Sequence, residues 1–147
     1  MSKKTIVVPV DGSEHAKKAV EFAVDWAKVH DGHIHLVHIP EPPAGDEVLV
    51  MGGASVTIYA TREELEQIGQ TIIDAATKMV KDLGLNDVDG SISIGNPARQ
   101  IVKKAEDLKA DMIVMGTRGL GDWKSLLVGS VSHKVMQMAP CTCVTVR

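Results

Sequence analysis

Aromatic residues are nearly missing from this chain. Phe, Tyr and Trp together make up 3% of its 147 residues, although 44% are hydrophobic. A core must therefore be assembled from Val, Ile, Leu, Ala and Met, with methionine as an adaptable filler. Cysteine is as scarce: Cys141 and Cys143 are the only two, and a strand would carry both on one face. That excludes a disulfide-stapled scaffold and fits reduced thiols in a cytoplasmic protein. No apolar run approaches the roughly 18 residues that suggest a membrane span, so no membrane insertion is expected. A basic excess is lacking too. The 16 Lys and Arg face 19 Asp and Glu, for a net charge of −3, which argues against a nucleic-acid or anionic-membrane partner. The start, Met1-Ser2-Lys3-Lys4-Thr5-Ile6-Val7-Val8, is basic and then apolar like a signal peptide. Pro9 and Asp11 cut the run short, so it reads as a strand. His15, His30, His33, His35, His38 and His133 are scattered, and none shows ligand spacing with an acidic partner. No histidine metal site is expected.

What is present is a regular alternation within one domain, residues 1–147, long enough to need no metal or disulfide staple. Thr5–Val10 is a short apolar run that ends at Asp11-Gly12-Ser13, a turn into a helix. Ala16, Ala19, Val20, Ala23, Val24 and Ala27 then recur at helical spacing until Asp31-Gly32. His33–Ile39 reads as a second strand. From Pro40 to about Ala60 no period is visible, and the stretch reads as a loop near 20 residues long, a lid or a partner surface. Thr61-Arg62-Glu63-Glu64 has the form of a capping box. It opens a long helix with a stripe at Leu65, Ile68, Ile72, Ala75, Ala76, Met79, Val80 and Leu83, closed by Gly84. Val88–Ile94 is a weak third strand, interrupted by Asp89 and Gly90. Asn96-Pro97 predicts a helix start, and Ile101, Val102, Ala105 and Leu108 mark that helix. Asp111–Met115 is a fourth strand. Val131, Val135 and Met138 mark a fourth helix, and Cys141–Val146 a fifth strand.

A β-α-β alternation of this kind predicts an α/β fold: a five-stranded parallel sheet with helices on both faces, right-handed crossovers and strand order 3-2-1-4-5. Its switch point lies between strands one and four, and ligands bind beside such a point at the strand C-termini. Asp11 and Gly116 stand there. Gly116-Thr117-Arg118-Gly119 follows the fourth strand, and after nine residues Gly129-Ser130 opens the fourth helix. Strand, glycine-rich loop and helix start together suit a phosphate chain, because main-chain N–H groups can approach it and the helix end adds partial positive charge. No Gly-x-x-x-x-Gly-Lys-Ser/Thr and no Gly-x-Gly-x-x-Gly after a strand occurs, which excludes a P-loop NTPase and argues against a dinucleotide binder.

The Gly-x2-Gly-x9-Gly-Ser loop, with Val8-Pro9-Val10-Asp11-Gly12-Ser13 after strand one and Gly95-Asn96-Pro97-Ala98 before helix three, resembles the ATP-binding branch of the universal stress protein family. The likeness runs over essentially the whole chain and implies a Rossmann-like fold of the adenine nucleotide alpha hydrolase-like kind. By position it implies an adenosine site lined by Pro9, Val10 and Asp11, with Ile39 packing on the adenine and Met115 flanking it. Asp11 would meet the ribose or support Mg2+ or Mn2+. Gly116, Arg118, Gly119 and Gly129 would border ribose and phosphates, and Ser130, Val131 and Ser132 would offer amides and hydroxyls to the phosphates. Asp11 and Ser130 also suit plain helix capping. Gly121 suits loop flexibility, and Trp123 suits packing under the loop or closure over a ligand.

The resemblance further implies a homodimer formed through 141–146. Three roles stand open: a cytoplasmic ATP-dependent regulatory dimer acting on a protein partner, a slow ATPase or phosphotransferase, and a dimeric scaffold without nucleotide. Little catalytic equipment surrounds the cradle, since Asp11, Arg118 and His133 are the groups at hand, so at most very slow hydrolysis is expected. The sequence leaves ATP, ADP and AMP equally open.

Overall fold

The computed structural model describes residues 2–40, 47–51, 54–58, 61–117 and 129–147. Its strands are β1 (Lys4–Pro9), β2 (Gly32–His38), β3 (Glu47–Met51), β4 (Ala54–Ile58), β5 (Val88–Ile92), β6 (Met112–Gly116) and β7 (Thr142–Val146). Its helices are α1 (Glu14–His30), α2 (Arg62–Asp82), α3 (Pro97–Asp107) and α4 (Ser130–Met138). The main sheet has the order β5-β2-β1-β6-β7, parallel throughout. Counted among its own members, that is the expected 3-2-1-4-5.

Period-two alternation sends neighbouring residues of each strand to opposite faces, and both faces are covered. Ile6, Val8, Ile34, Leu36, Met112 and Val114 join α1 and α2 in one apolar cluster. Val7, Val37, Ile39, Ile113 and Met115 join α3 and α4 in the other. Ile6, Val7, Val8, Ile34, Leu36 and Ile113 are wholly inaccessible. Each such side chain contributes about 1.5–3 kcal/mol over an exposed one. The alanine-rich stripe of α1 is buried as its period predicts, residue for residue.

Three expectations change. The stretch between Pro40 and Ala60 contains a separate antiparallel hairpin, β3 paired with β4 from Glu47↔Ile58 to Met51↔Ala54. Its sequence signal was the Gly52-Gly53 dipeptide between Val48-Leu49-Val50 and Val56-Thr57-Ile58. The buried line of α2 runs through Gly69, Ile73 and Val80, whereas Ile68 and Leu83 are exposed. A Cβ on Gly69 would lie 2.9 Å from the His38 ring, so the helix meets the sheet on a residue with no hydrophobic signal. Gly90 does not interrupt β5, which ends at Ile92. Its missing Cβ is the space taken by Ile73, whose Cγ2 would stand 2.7 Å away.

Candidate functional site

The site is built where β1 and β6 part. Thr5 N–H donates to the Asp111 carboxylate at 2.8 Å and Asp111 N–H donates to the Thr5 carbonyl at 2.9 Å, so odd-numbered residues of β1 face β6. Val10 N–H donates to the Val37 carbonyl on the opposite side at 2.9 Å. Pro9 therefore places its missing donor toward β6, and the paired register between the two strands is Ile6↔Met112 and Val7↔Ile113. A proline at that point ends the ladder and lets the strand ends diverge, which is the physical basis of a crevice at a switch point.

Beyond Pro9 the chain turns at once. Gly12 adopts φ +83°. The Asp11 carboxylate accepts from Ser13 N–H at 2.9 Å, and Ser13 Oγ accepts from Ala16 N–H at 3.2 Å. Ser13, not Asp11, is thus the cap of α1. The turn brings α1 down on the end of β6: a Cβ on Gly116 would lie 2.7 Å from His15 Cβ and 2.8 Å from its main-chain carbon. The bareness of Gly116 is filled by the helix, and His15 becomes a neighbour of the crevice that its sequence position did not advertise.

On the other wall, Thr117 N–H donates to the Val146 carbonyl at 2.9 Å, carrying the β6–β7 ladder one step further. Gly129 N–H donates to the Thr117 carbonyl, so the two ends of segment 118–128 are tied together. Arg118, Gly119, Gly121 and Trp123 lie outside the described residues. Gly129 is the N-cap of α4 and brings no side-chain cap hydrogen bond. The first helical bond is His133 N–H to the Gly129 carbonyl, at 3.0 Å. The amides of Ser130, Val131 and Ser132 precede it and belong to the set that a helix cannot satisfy internally.

The expected site residues therefore gather as follows. Pro9 ends β1 with Val10 and Asp11 directly after it, and Met115 and Gly116 end β6. Gly129, Ser130, Val131 and Ser132 form the start of α4. Val10 packs with the α1/α2 cluster, whereas Ile39 and Met115 pack with the α3/α4 cluster and are 9% and 3% exposed. Ser132 is buried and its Oγ donates to the Gly116 carbonyl at 2.8 Å, which braces the helix on the strand. Ser130 is the first helical residue, not the cap, and is exposed. His133 is exposed as well.

Chemically, the first amides of α4, which have no hydrogen-bond partner among the described residues, stand at a positive helix end and can hold an anionic group. The profile of the universal stress protein family matches residues 3–147, nearly the full length of the chain. The chain belongs to the universal stress protein family. Within it, a universal stress protein of Thermus aquaticus is 38% identical over 144 residues, covering 98% of each chain. Among solved structures, a universal stress protein in complex with cAMP superposes with a TM-score of 0.72 at 22% identity, covering 100% of this chain and 98% of that one. A universal stress protein from Archaeoglobus fulgidus in complex with dAMP gives 0.72 at 19%, covering 99% and 98%. No helix among the described residues is long and apolar enough to cross a membrane.

A second group of polar side chains was missed. His33 and His35 alternate along β2, and Asp89 and Ser91 along β5, on the face that carries α3. The register His35↔Asp89 brings them together, against the expectation that no histidine meets an acidic partner. Two histidines two apart in β2, and Asp87 and Asp89 at the start of β5, were the available signal; only the pairing register joins them. Burial lowers the pKa of His35 despite the pull of Asp89, with Lys104 and His33 adding to the lowering. The hydrogen bond from Lys3, then that from His33, holds the Asp87 carboxyl below its usual value.

Proposed function

We propose that this universal stress protein binds ATP in the crevice between β1 and β6 and works as a nucleotide-dependent regulatory dimer in the cytoplasm. The observation that carries the reading is the bare start of α4. Ser13, Thr61 and Asn96 cap α1, α2 and α3 with side-chain oxygens, while α4 starts at Gly129 without one. A helix start left open at a switch point suits phosphate oxygens. The relatives solved with cAMP and dAMP support an adenine nucleotide as the class of ligand. In this reading Pro9, Val10, Ile39 and Met115 shape the base and ribose side. Asp11 meets the ribose or a Mg2+ or Mn2+ ion, and Gly116, Arg118, Gly119 and Gly129 line the phosphate path.

Binding is the activity, and hydrolysis is at most far slower than about 1 s⁻¹, the low end for enzymes. Transfer of a phosphoryl group needs an oriented nucleophile and concentrated positive charge, and Ser132 is already committed to Gly116. The strand β7 forms one edge of the main sheet, and a twofold copy pairing there would cover it.

Calorimetric titration of nucleotide-free protein with ATP, ADP and AMP, with Mg2+ or Mn2+ present, tests the ligand. ATP is expected to bind with a micromolar dissociation constant, about −8 kcal/mol. Absence of binding up to millimolar ATP would sink the reading. Light scattering of the same sample at micromolar concentration should return twice the chain mass.

A further inference from the structure

We propose that His33, His35 and Asp89 form a binding site for a divalent transition-metal ion on the edge of the main sheet, away from the nucleotide crevice. The crevice lies at the strand C-termini, whereas His33 is the second residue of β2 and His35 the fourth. One nitrogen of each ring and one carboxylate oxygen converge, with the three ligand atoms all within 4.8 Å of one another. Asp89 Oδ1 is 2.8 Å from His33 Nε2 and 2.8 Å from His35 Nδ1.

The groups behind these ligands make the cluster more than a contact between polar residues. The other nitrogen of His33, Nδ1, lies 2.7 Å from Asp87 Oδ1. The other nitrogen of His35, Nε2, lies 2.8 Å from Ser91 Oγ. Metal-bound histidines almost always donate their remaining N–H to such an acceptor, which fixes tautomer and ring direction. Here both acceptors are in place, and Asp87 is itself held by an ion pair with Lys3. His33 adds a constraint. Both of its nitrogens face carboxylate oxygens, which only accept when ionised. A neutral ring can donate to one of them and leaves a lone pair aimed at the other. A metal ion between His33 Nε2, His35 Nδ1 and Asp89 would take up that lone pair and leave the Nδ1–H of His33 to donate to Asp87.

Two imidazoles and one carboxylate select the kind of ion. Ca2+ and Mg2+ require mainly oxygen donors, whereas zinc and its neighbours accept this set. An ion about 2.0–2.2 Å from each donor would spread the present 2.8 Å separations by about half an ångström. The Asp89 side chain, 61% exposed, has the freedom to accommodate that and leaves an open approach for the ion and for water as a fourth ligand. His35, 8% exposed, and the half-buried His33 come from a fully paired strand, which makes them the fixed part of the site. Lys104 of α3 acts electrostatically on His35 and is the opposing charge, so the affinity is moderate. A bound ion would clip the edge strand β5 to β2.

The test is calorimetric titration of metal-stripped, full-length protein with Zn2+, with Co2+ in parallel for its visible absorption. One ion per chain is expected, with the Co2+ spectrum of a low-coordinate nitrogen–oxygen site. Asp89→Asn and His33→Gln, both in exposed or half-exposed positions, should weaken Zn2+ binding by more than tenfold, and Asp87→Asn by about 10- to 100-fold. The double variant Cys141→Ser/Cys143→Ser should bind as the parent does. The proposal is overturned if no saturable Zn2+ binding occurs, if binding survives His33→Gln, or if it disappears with the cysteines.

Discussion

α3 and α4 pack on the same face of the sheet, against the same row of Val7, Val37 and Ile113, yet they begin in opposite ways. Asn96 Oδ1 accepts from Arg99 N–H at 3.1 Å and Pro97 occupies the first turn, so α3 closes its own end with residues adjacent in sequence. Among the described residues no side chain caps the start of α4. Its start is held by Gly129 N–H on Thr117 and by Ser132 Oγ on Gly116, both from the end of β6. One helix is capped and the other is braced. A braced start is fixed in position while its first amides have no partner among the described residues, which is what a binding site requires and a structural helix does not.

The sharpest way to break the contrast is to give α4 the start that α3 has. Gly129 sits at φ −67°, ψ 160°, a conformation open to any L residue. Gly129→Asp supplies a capping carboxylate that takes up an amide and repels phosphate. ATP affinity is expected to fall about a hundredfold, near 3 kcal/mol; because Gly129 is buried, urea unfolding of the same variant reads what the new carboxylate costs the fold. Unchanged affinity, measured by calorimetry, would show that the phosphates rest elsewhere. Next in size is the brace. Ser132→Ala leaves the part-buried Gly116 carbonyl without this donor, a cost of about 1 kcal/mol in urea unfolding. Its effect on ATP affinity should be smaller than that of Gly129→Asp, because the hydroxyl proton points at the strand and not at the ligand.

The same contrast explains what could be read from the sequence. Capping is local when Asn96-Pro97 or Thr61 through Glu64 does it, and the residues announce it by spacing alone; both starts were read correctly. The buried stripe of α1 and the strand order were legible for the same reason, since period and alternation are properties of neighbours along the chain. What stayed hidden depends on partners far apart in sequence. The brace from Ser132 to Gly116 was not legible because that bond spans 16 positions. Gly69 and Gly90 carry no hydrophobic signal although each marks a close approach between α2 and the sheet. His35 and Asp89 are 54 positions apart, and only the register of β2 against β5 makes them one cluster. The hairpin of β3 and β4 is the exception: its Gly52-Gly53 signal was local and was passed over because the surrounding stretch lacks a longer period.

A smaller effect is expected from removing the local cap. Asn96→Ala should cost about 1 kcal/mol of stability and leave ATP affinity where it was, since α3 uses its cap for itself. A loss of ATP affinity in this variant would mean that the two helix starts are coupled, and that the division between capped and braced ends is not functional.

The least perturbing probe is the strand on which the braced helix's face rests. Cys141 and Cys143 pack partly buried against the α3/α4 cluster. Burial raises the pKa of both thiols above the ordinary cysteine value, and for Cys141 the neighbouring Cys143 and Asp111 raise it further. The sign follows from the charged form being disfavoured in the folded state. The folded value lies above the unfolded one, so the associated stability is fully present below the ordinary thiol pKa of about 8.5. It is lost as pH rises through the raised value. Alkylation by iodoacetamide, followed by mass spectrometry across pH 7–10, should therefore lag in the native protein and catch up only at higher pH, whereas urea-unfolded chain follows the ordinary thiol curve. Coincident curves would mean that the face shared by α3 and α4 does not shield this strand, and the packing beneath both helix starts would have to be redrawn.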